Sequence, residues 1–144
     1  MAIWFRPITP EELNRRGDNT LSSFLGMVFT DIGEDSLTAT MPANQRTKQP
    51  LGIVHGGASV ALAETVASTA ANMVVDFEKF YCVGLEINAN HLRSVEQGIV
   101  TAITKPVHIG RTTQVWTIDI FNEAGQRTCI SRMTACVLTR KPTL

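Results

Sequence analysis

The stretch QPLGIVHGGASVALAETVASTAANMVV, from Gln49 to Val75, decides the fold. Its only charged side chain is Glu64, set among Ala, Val, Ser and Thr. From Gly56 to Val75 no proline interrupts it, and the residues are small or apolar on every side, which predicts a long helix enclosed by its own protein. The same segment is long enough to cross a bilayer. Its Ser, Thr and Gly content and the central acid, which costs about 2.5 kcal/mol or more to insert, argue against that. A carboxylate that is costly to bury therefore needs a purpose.

The flanking sequence predicts what encloses the helix. TPEEL, Thr9–Leu13, has a capping Thr, a Pro in the first turn and a Glu at the third position, so a short helix starts there and ends near Gly17. From Gly26, GMVFTDIGEDSLTATMP reads as two strands joined by a turn at Gly33–Asp35, with Leu37, Ala39 and Met41 alternating against Thr38 and Thr40. After the long helix come four runs rich in Val, Ile and Thr: FYCVGLEINANHLRSV, QGIVTAITKPVHIG, RTTQVWTIDIFNEAG and QRTCISRMTACVLTR. These predict four strands in a meander, with turns at His108–Arg111 and Asn122–Gln126. The expected class is α+β: one domain over residues 1–144, with a curved antiparallel sheet around one central helix.

Composition narrows the function. The chain has 144 residues, 44% of them hydrophobic, enough for a continuous core without staples. Its 13 basic side chains balance 13 acidic ones, leaving no net field for nucleic acid or an anionic membrane. The three cysteines Cys82, Cys129 and Cys136 show no C-x-x-C spacing and read as reduced core residues. The histidines are unpaired at metal-ligand spacing, so neither a metal nor a cofactor is implied. With no apolar run of signal length at the N-terminus, a cytoplasmic location is expected.

Glu64 has ordinary alternatives, an ion pair with a buried Lys or Arg or a place at an exposed break in the packing. HGG at His55–Gly57, just before the helix, favours chemistry instead: glycines there leave backbone N–H groups open to an acyl oxygen. Gly56 and Glu64 stand eight residues apart, about 12 Å of rise on one α-helix. Both cannot touch one carbonyl. A site using both must combine two copies of the helix across a two-fold axis, which predicts a homodimer with two shared sites.

QPLGIVHGGASVALAET, GLEINANHLRSV and HIGR together resemble the hotdog-fold acyl-CoA thioesterases, in the branch that hydrolyses 1,4-dihydroxy-2-naphthoyl-CoA, proofreads enterobactin synthesis or cleaves 4-hydroxybenzoyl-CoA as in Arthrobacter. The resemblance runs from Ile3 to about Leu138. It implies an acyl-CoA thioesterase, often tetrameric, with Glu64 as nucleophile or general base and the Gly56 N–H as oxyanion donor. His55 and Gln49 would hold the thioester and water. Ser68, one turn after Glu64, would bond the carboxylate, or simply pack. By the same resemblance His91, Arg93, His108, Gly110 and Arg111 line the path of coenzyme A; solvated strand ends are their plainer role. Where such proteins carry Pro after the Arg of NHLR, Ser94 stands here.

Two other activities fit this fold. A dehydratase of this type carries an Asp and a nearby His on the helix, which is absent here. A noncatalytic acyl-CoA or acyl-carrier binding protein would keep a tunnel and need no Glu64. The acyl group, aromatic by resemblance, would pack against Val54, Leu62, Val66, Met73, Phe77 and Phe80, which suit an aliphatic tail equally.

Overall fold

The computed structural model describes residues 1–141; the last three residues of the expected 1–144 domain lie outside the described residues. Helix α1 is Pro10–Arg16, with Thr9 Oγ1 accepting the Glu12 N–H at 3.3 Å and Gly17 as C-cap, as the TPEEL signal predicts. A single-turn helix α2, Leu21–Phe24, follows. Strands β1, Val28–Ile32, and β2, Leu37–Pro42, form the predicted hairpin. Leu37, Ala39 and Met41 are fully buried while Thr38, Thr40 and Pro42 are half-buried, the period-two pattern of a strand with one face in the core.

Helix α3 is Gly56–Met73. Leu62, Ala63, Val66, Ala67, Ala70 and Ala71 are fully buried, an i, i+3, i+4 stripe that faces the sheet. The opposite face, with Ala61, Glu64, Thr65, Ser68, Thr69 and Asn72, is only half-buried. The helix is therefore not enclosed on every side. Its open face carries the acid.

Strands β3, Phe80–His91, β4, Ile99–Ile109, β5, Thr113–Phe121, and β6, Arg127–Thr139, complete one antiparallel sheet in the order β1-β2-β4-β5-β6-β3. The predicted four-strand meander is only partly present. β4, β5 and β6 follow one another through the two predicted turns, but β3 pairs with β6 and not with β4. The chain leaving α3 turns through residues 76–79 and lays β3 at the far edge, beside the flank of its own helix. Trp116, Ile118 and Ile120 of β5, with Met133 of β6, fill the space between sheet and helix and are fully buried. No helix is long and apolar enough to cross a membrane among the described residues.

Candidate active site

The first half of the site is built by the loop before α3. The buried Thr47 hydroxyl donates to Pro42 O at 2.6 Å, and Thr47 O accepts the His55 N–H at 2.8 Å. A turn through Gly52, at φ +82°, returns the chain so that Gln49 N–H reaches Ile53 O. This delivers His55 as the N-cap of α3, its Nδ1 accepting the Gly57 N–H at 2.8 Å. A ring nitrogen that accepts a hydrogen bond carries no proton, so neutral His55 holds its proton on Nε2 as an outward donor. Capping the helix is thus what its Nδ1 performs.

The Gly56 N–H opens the helix, where the first amides have no acceptor within the helix itself. His91, at the end of β3, closes over it: a Cβ on Gly56 would stand 3.0 Å from His91 Nε2. The crevice here measures about 310 Å³ and is lined by Gln49, Gly56, Ser59, His91, Arg93 and Thr128 among others. Gln49 Oε1 accepts the Leu51 N–H, folding that side chain over its own turn. Arg93 Nη1 donates to Arg127 O at 2.8 Å, which ties one side of its fork to the protein.

The second half lies farther along α3. The Glu64 carboxylate sits against β3 at Gly84, where any Cβ would collide with Oε1. A bulge between Gly84 and Glu86 marks the same point in the β3–β6 ladder. Burial pushes the Glu64 pKa above the ordinary 4.5, and a hydrogen bond from Ser68 offsets part of that rise. The Ser68 hydroxyl also lies 3.6 Å from Met133 Sδ. An ionised carboxylate is much the stronger acceptor, so the proton turns toward Glu64 when it is charged.

Beyond Glu64 the open face of α3 borders a cavity of about 800 Å³, roofed by the N-terminal segment and α1 and lined by Phe5, Phe29, Thr65, Ser68, Met73 and Phe77 among others. Of the six apolar residues expected around an acyl group, Met73 and Phe77 line this cavity and Val54 lines the Gly56 crevice. Leu62 and Val66 belong instead to the fully buried stripe, and Phe80 lines neither cavity.

The expected site residues thus fall into two groups at opposite ends of β3. Gln49, His55, Gly56, His91 and Arg93 gather at its C-terminal end. Glu64 and Ser68 stand at Gly84 near its start. His108, Gly110 and Arg111 form the β4–β5 hairpin tip, where Gly110 N–H bonds Thr113 O at 2.9 Å. Because Thr113 faces Cys136 and Cys136 faces Val83, that tip belongs to the Glu64 end. Within one chain the two groups stay apart.

Sequence reasoning missed Gly84, whose missing side chain makes room for the acid, and Asn72, whose amide bonds Cys82 N and O at 2.8 and 3.0 Å. No local signal marks either residue, since each acts across a packing between elements.

Residues 51–129 match the thioesterase superfamily. The 1,4-dihydroxy-2-naphthoyl-CoA hydrolase of Escherichia coli K12 is 50% identical over 136 residues, 94% of this chain and 99% of that one. A thioesterase from Pseudomonas aeruginosa, solved with a glutamine-to-alanine substitution, superposes with TM-score 0.95 at 44% identity, covering 96% of this chain and all of that one. One from Haemophilus influenzae does so with TM-score 0.93 at 47% identity over 95% of each chain. Matches of this extent take in both ends of β3 and the whole of α3, and they make the chain a member of the thioesterase superfamily, a hotdog-fold thioester hydrolase.

Proposed function

We propose that the protein hydrolyses acyl-CoA thioesters with an aromatic acyl group, in sites shared between two copies of the chain. The observation that carries this reading is the separation of Gly56 and Glu64 along the edge of β3. β3 is a twelve-residue edge strand, and Val83 and Leu85 on it are exposed. A long free edge of this kind calls for cover. Pairing it antiparallel with the same strand of a second copy would set the Gly56 end of one protomer against the Glu64 end of the other. The Gly56 N–H would then hold the thioester oxygen, with the Glu64 carboxylate from across the axis facing the carbonyl carbon.

The carboxylate attacks that carbon and expels the coenzyme A thiolate, giving a mixed anhydride that water then hydrolyses to the free acid and the regenerated carboxylate; or it takes a proton from a water that attacks the carbon, and collapse of the adduct expels the thiolate and leaves the free acid. Charge on the carbonyl oxygen develops against the Gly56 N–H, where a preorganised donor is worth most. The His55 Nε2–H, His91 and Gln49 border the same oxygen and water. Arg93 of one copy and His108 and Arg111 of the other would come to one mouth, where guanidinium groups suit the phosphates of coenzyme A. The named activity of the E. coli relative supports an aryl-CoA substrate.

Glu64→Gln keeps the shape and removes the charge. Free-thiol release from benzoyl, hydroxybenzoyl, hydroxynaphthoyl and straight-chain acyl-CoAs should fall at least about a hundredfold in the variant, with binding of the esters retained. Equal activity in variant and native protein would remove Glu64 from the chemistry. Binding without turnover by either would make the chain a binding protein.

A further inference from the structure

Arg140, just beyond β6, contacts neither half of the site, yet it ties down the loop between α3 and β3. Its backbone N–H donates to Lys79 O at 2.8 Å and its Nε to Phe77 O at 2.6 Å. Its guanidinium lies over Phe77, 4.0 Å from the ring centroid, and 5.3 Å from that of Tyr81. Val75, Asp76, Phe77 and Glu78 of this loop form one wall of the 800 Å³ cavity that opens beside Ser68. The opposite wall is fixed by core and helix contacts: Leu13 of α1 and Phe29 of β1 are buried. The loop wall is held less deeply, by Val75 packed half-buried against the core. Phe77 is 49% exposed and lies beneath the arginine.

We propose that Arg140 is a positioning residue for acyl selectivity: by clamping Phe77 it fixes the width of the cavity, and so admits a bulky aryl group in one pose. This rests on the proposed acyl-CoA thioesterase activity and takes the cavity, lined by Ser68, Met73 and Phe77, as the seat of the acyl group. A guanidinium that hydrogen-bonds a carbonyl while stacking on the ring of the same residue fixes both main chain and side chain, which an ammonium cannot reproduce. Losing the clamp frees Phe77 to swing, and a bulky acyl group then reacts from a spread of poses. An acetyl group does not reach the wall and would not register the change.

The test compares kcat and KM for hydroxynaphthoyl-CoA and acetyl-CoA in the native protein, Arg140→Lys and Arg140→Ala. The expected result is a fall of about tenfold in kcat/KM for the naphthoyl ester in both variants, with the acetyl ester unchanged, a contrast of the size that small changes in a binding pocket produce. Equal losses on both esters, or native selectivity in Arg140→Lys, would overturn the proposal, because charge or general stability would then account for the residue. Thr69→Phe, which fills the same cavity from α3, separates this from the underlying reading. If Thr69→Phe leaves naphthoyl turnover intact, the cavity is not the acyl seat and the proposal falls with it; if it blocks turnover while the Arg140 variants behave as native, only the clamp is wrong.

Discussion

At the scale of the residue, Glu64 is held in tension between solvation and use. Burial raises its pKa, so between the unfolded value near 4.5 and the higher folded one the native state binds more protons than the unfolded state. Stability contributed by this group therefore falls as pH rises through that window and stays reduced at neutrality. Glu64→Gln is expected to raise Tm at pH 7, and the gain should shrink as pH is lowered toward 4.5; a gain independent of pH would show that the charge is not its source. The proposed mechanism uses the ionised form, so the acid limb of kcat/KM should lie above the ordinary carboxylate range. Ser68→Ala, which removes the hydrogen bond that lowers this pKa, should move the limb to still higher pH. An unmoved limb would assign the Ser68 proton to Met133 instead. Gly84 belongs to the same balance. Gly84→Ala sets a methyl where Oε1 lies and displaces the carboxylate, with an expected loss of about a hundredfold in kcat, as a misplacement near 1 Å can cause.

At the scale of the element, α3 shows what a sequence discloses and what it withholds. Its start was legible in HGG, β2 from its period of two, and β5 from its Val, Ile and Thr content; in the structure Gln114, Trp116, Ile118 and Ile120 of β5 are all buried on alternate positions. The two faces of α3 were not, since Ala, Ser and Thr differ too little in hydropathy to separate a buried stripe from an open one. The position of β3 was also hidden, because the partner of a strand is set by contacts distant in sequence while the run itself reads only as a strand. Asn72 supplies one such contact. Its side-chain amide pairs with Cys82 N and O as a neighbouring strand would, and also donates to Ser68 O at 2.9 Å, so α3 itself closes the first rung of the free edge. Asn72→Leu leaves those two backbone groups without partners and should cost about 1–3 kcal/mol, read as a lower denaturation midpoint with an unchanged m-value. A neutral result would mean that water replaces the amide without loss. The buried Gln114 secures the same region, donating to Ala71 O at 3.3 Å while its Oε1 accepts the Trp116 indole at 2.9 Å.

At the scale of the whole molecule, the division of the site predicts a register as well as a partner. Asn72 already occupies Cys82, so the edge open to a second copy begins near Gly84 and runs to His91. A two-fold axis that sets Gly56, beside His91, against Glu64, beside Gly84, must lie midway between those residues, at Ile87 and Asn88. Shifting the pairing by two residues would carry each carbonyl site several ångströms from its acid, since each residue of strand advances about 3.3 Å. The active register is thus narrowly set. Asn88 is exposed on the free edge, and a cysteine there would meet its own copy near the axis. Native Cys82 and Cys129 are buried and compete little for reagent, and the half-buried Cys136 is replaced by serine in both variants. Asn88→Cys is therefore expected to give a covalent dimer with a short bis-thiol crosslinker, whereas Glu34→Cys, at the remote β1–β2 turn, should not. Active enzyme that sediments as a monomer, or a dimer crosslinked through Glu34→Cys and not through Asn88→Cys, would break the shared-site mechanism, because Gly56 and Glu64 of one chain would then have to act on one carbonyl across about 12 Å of helix.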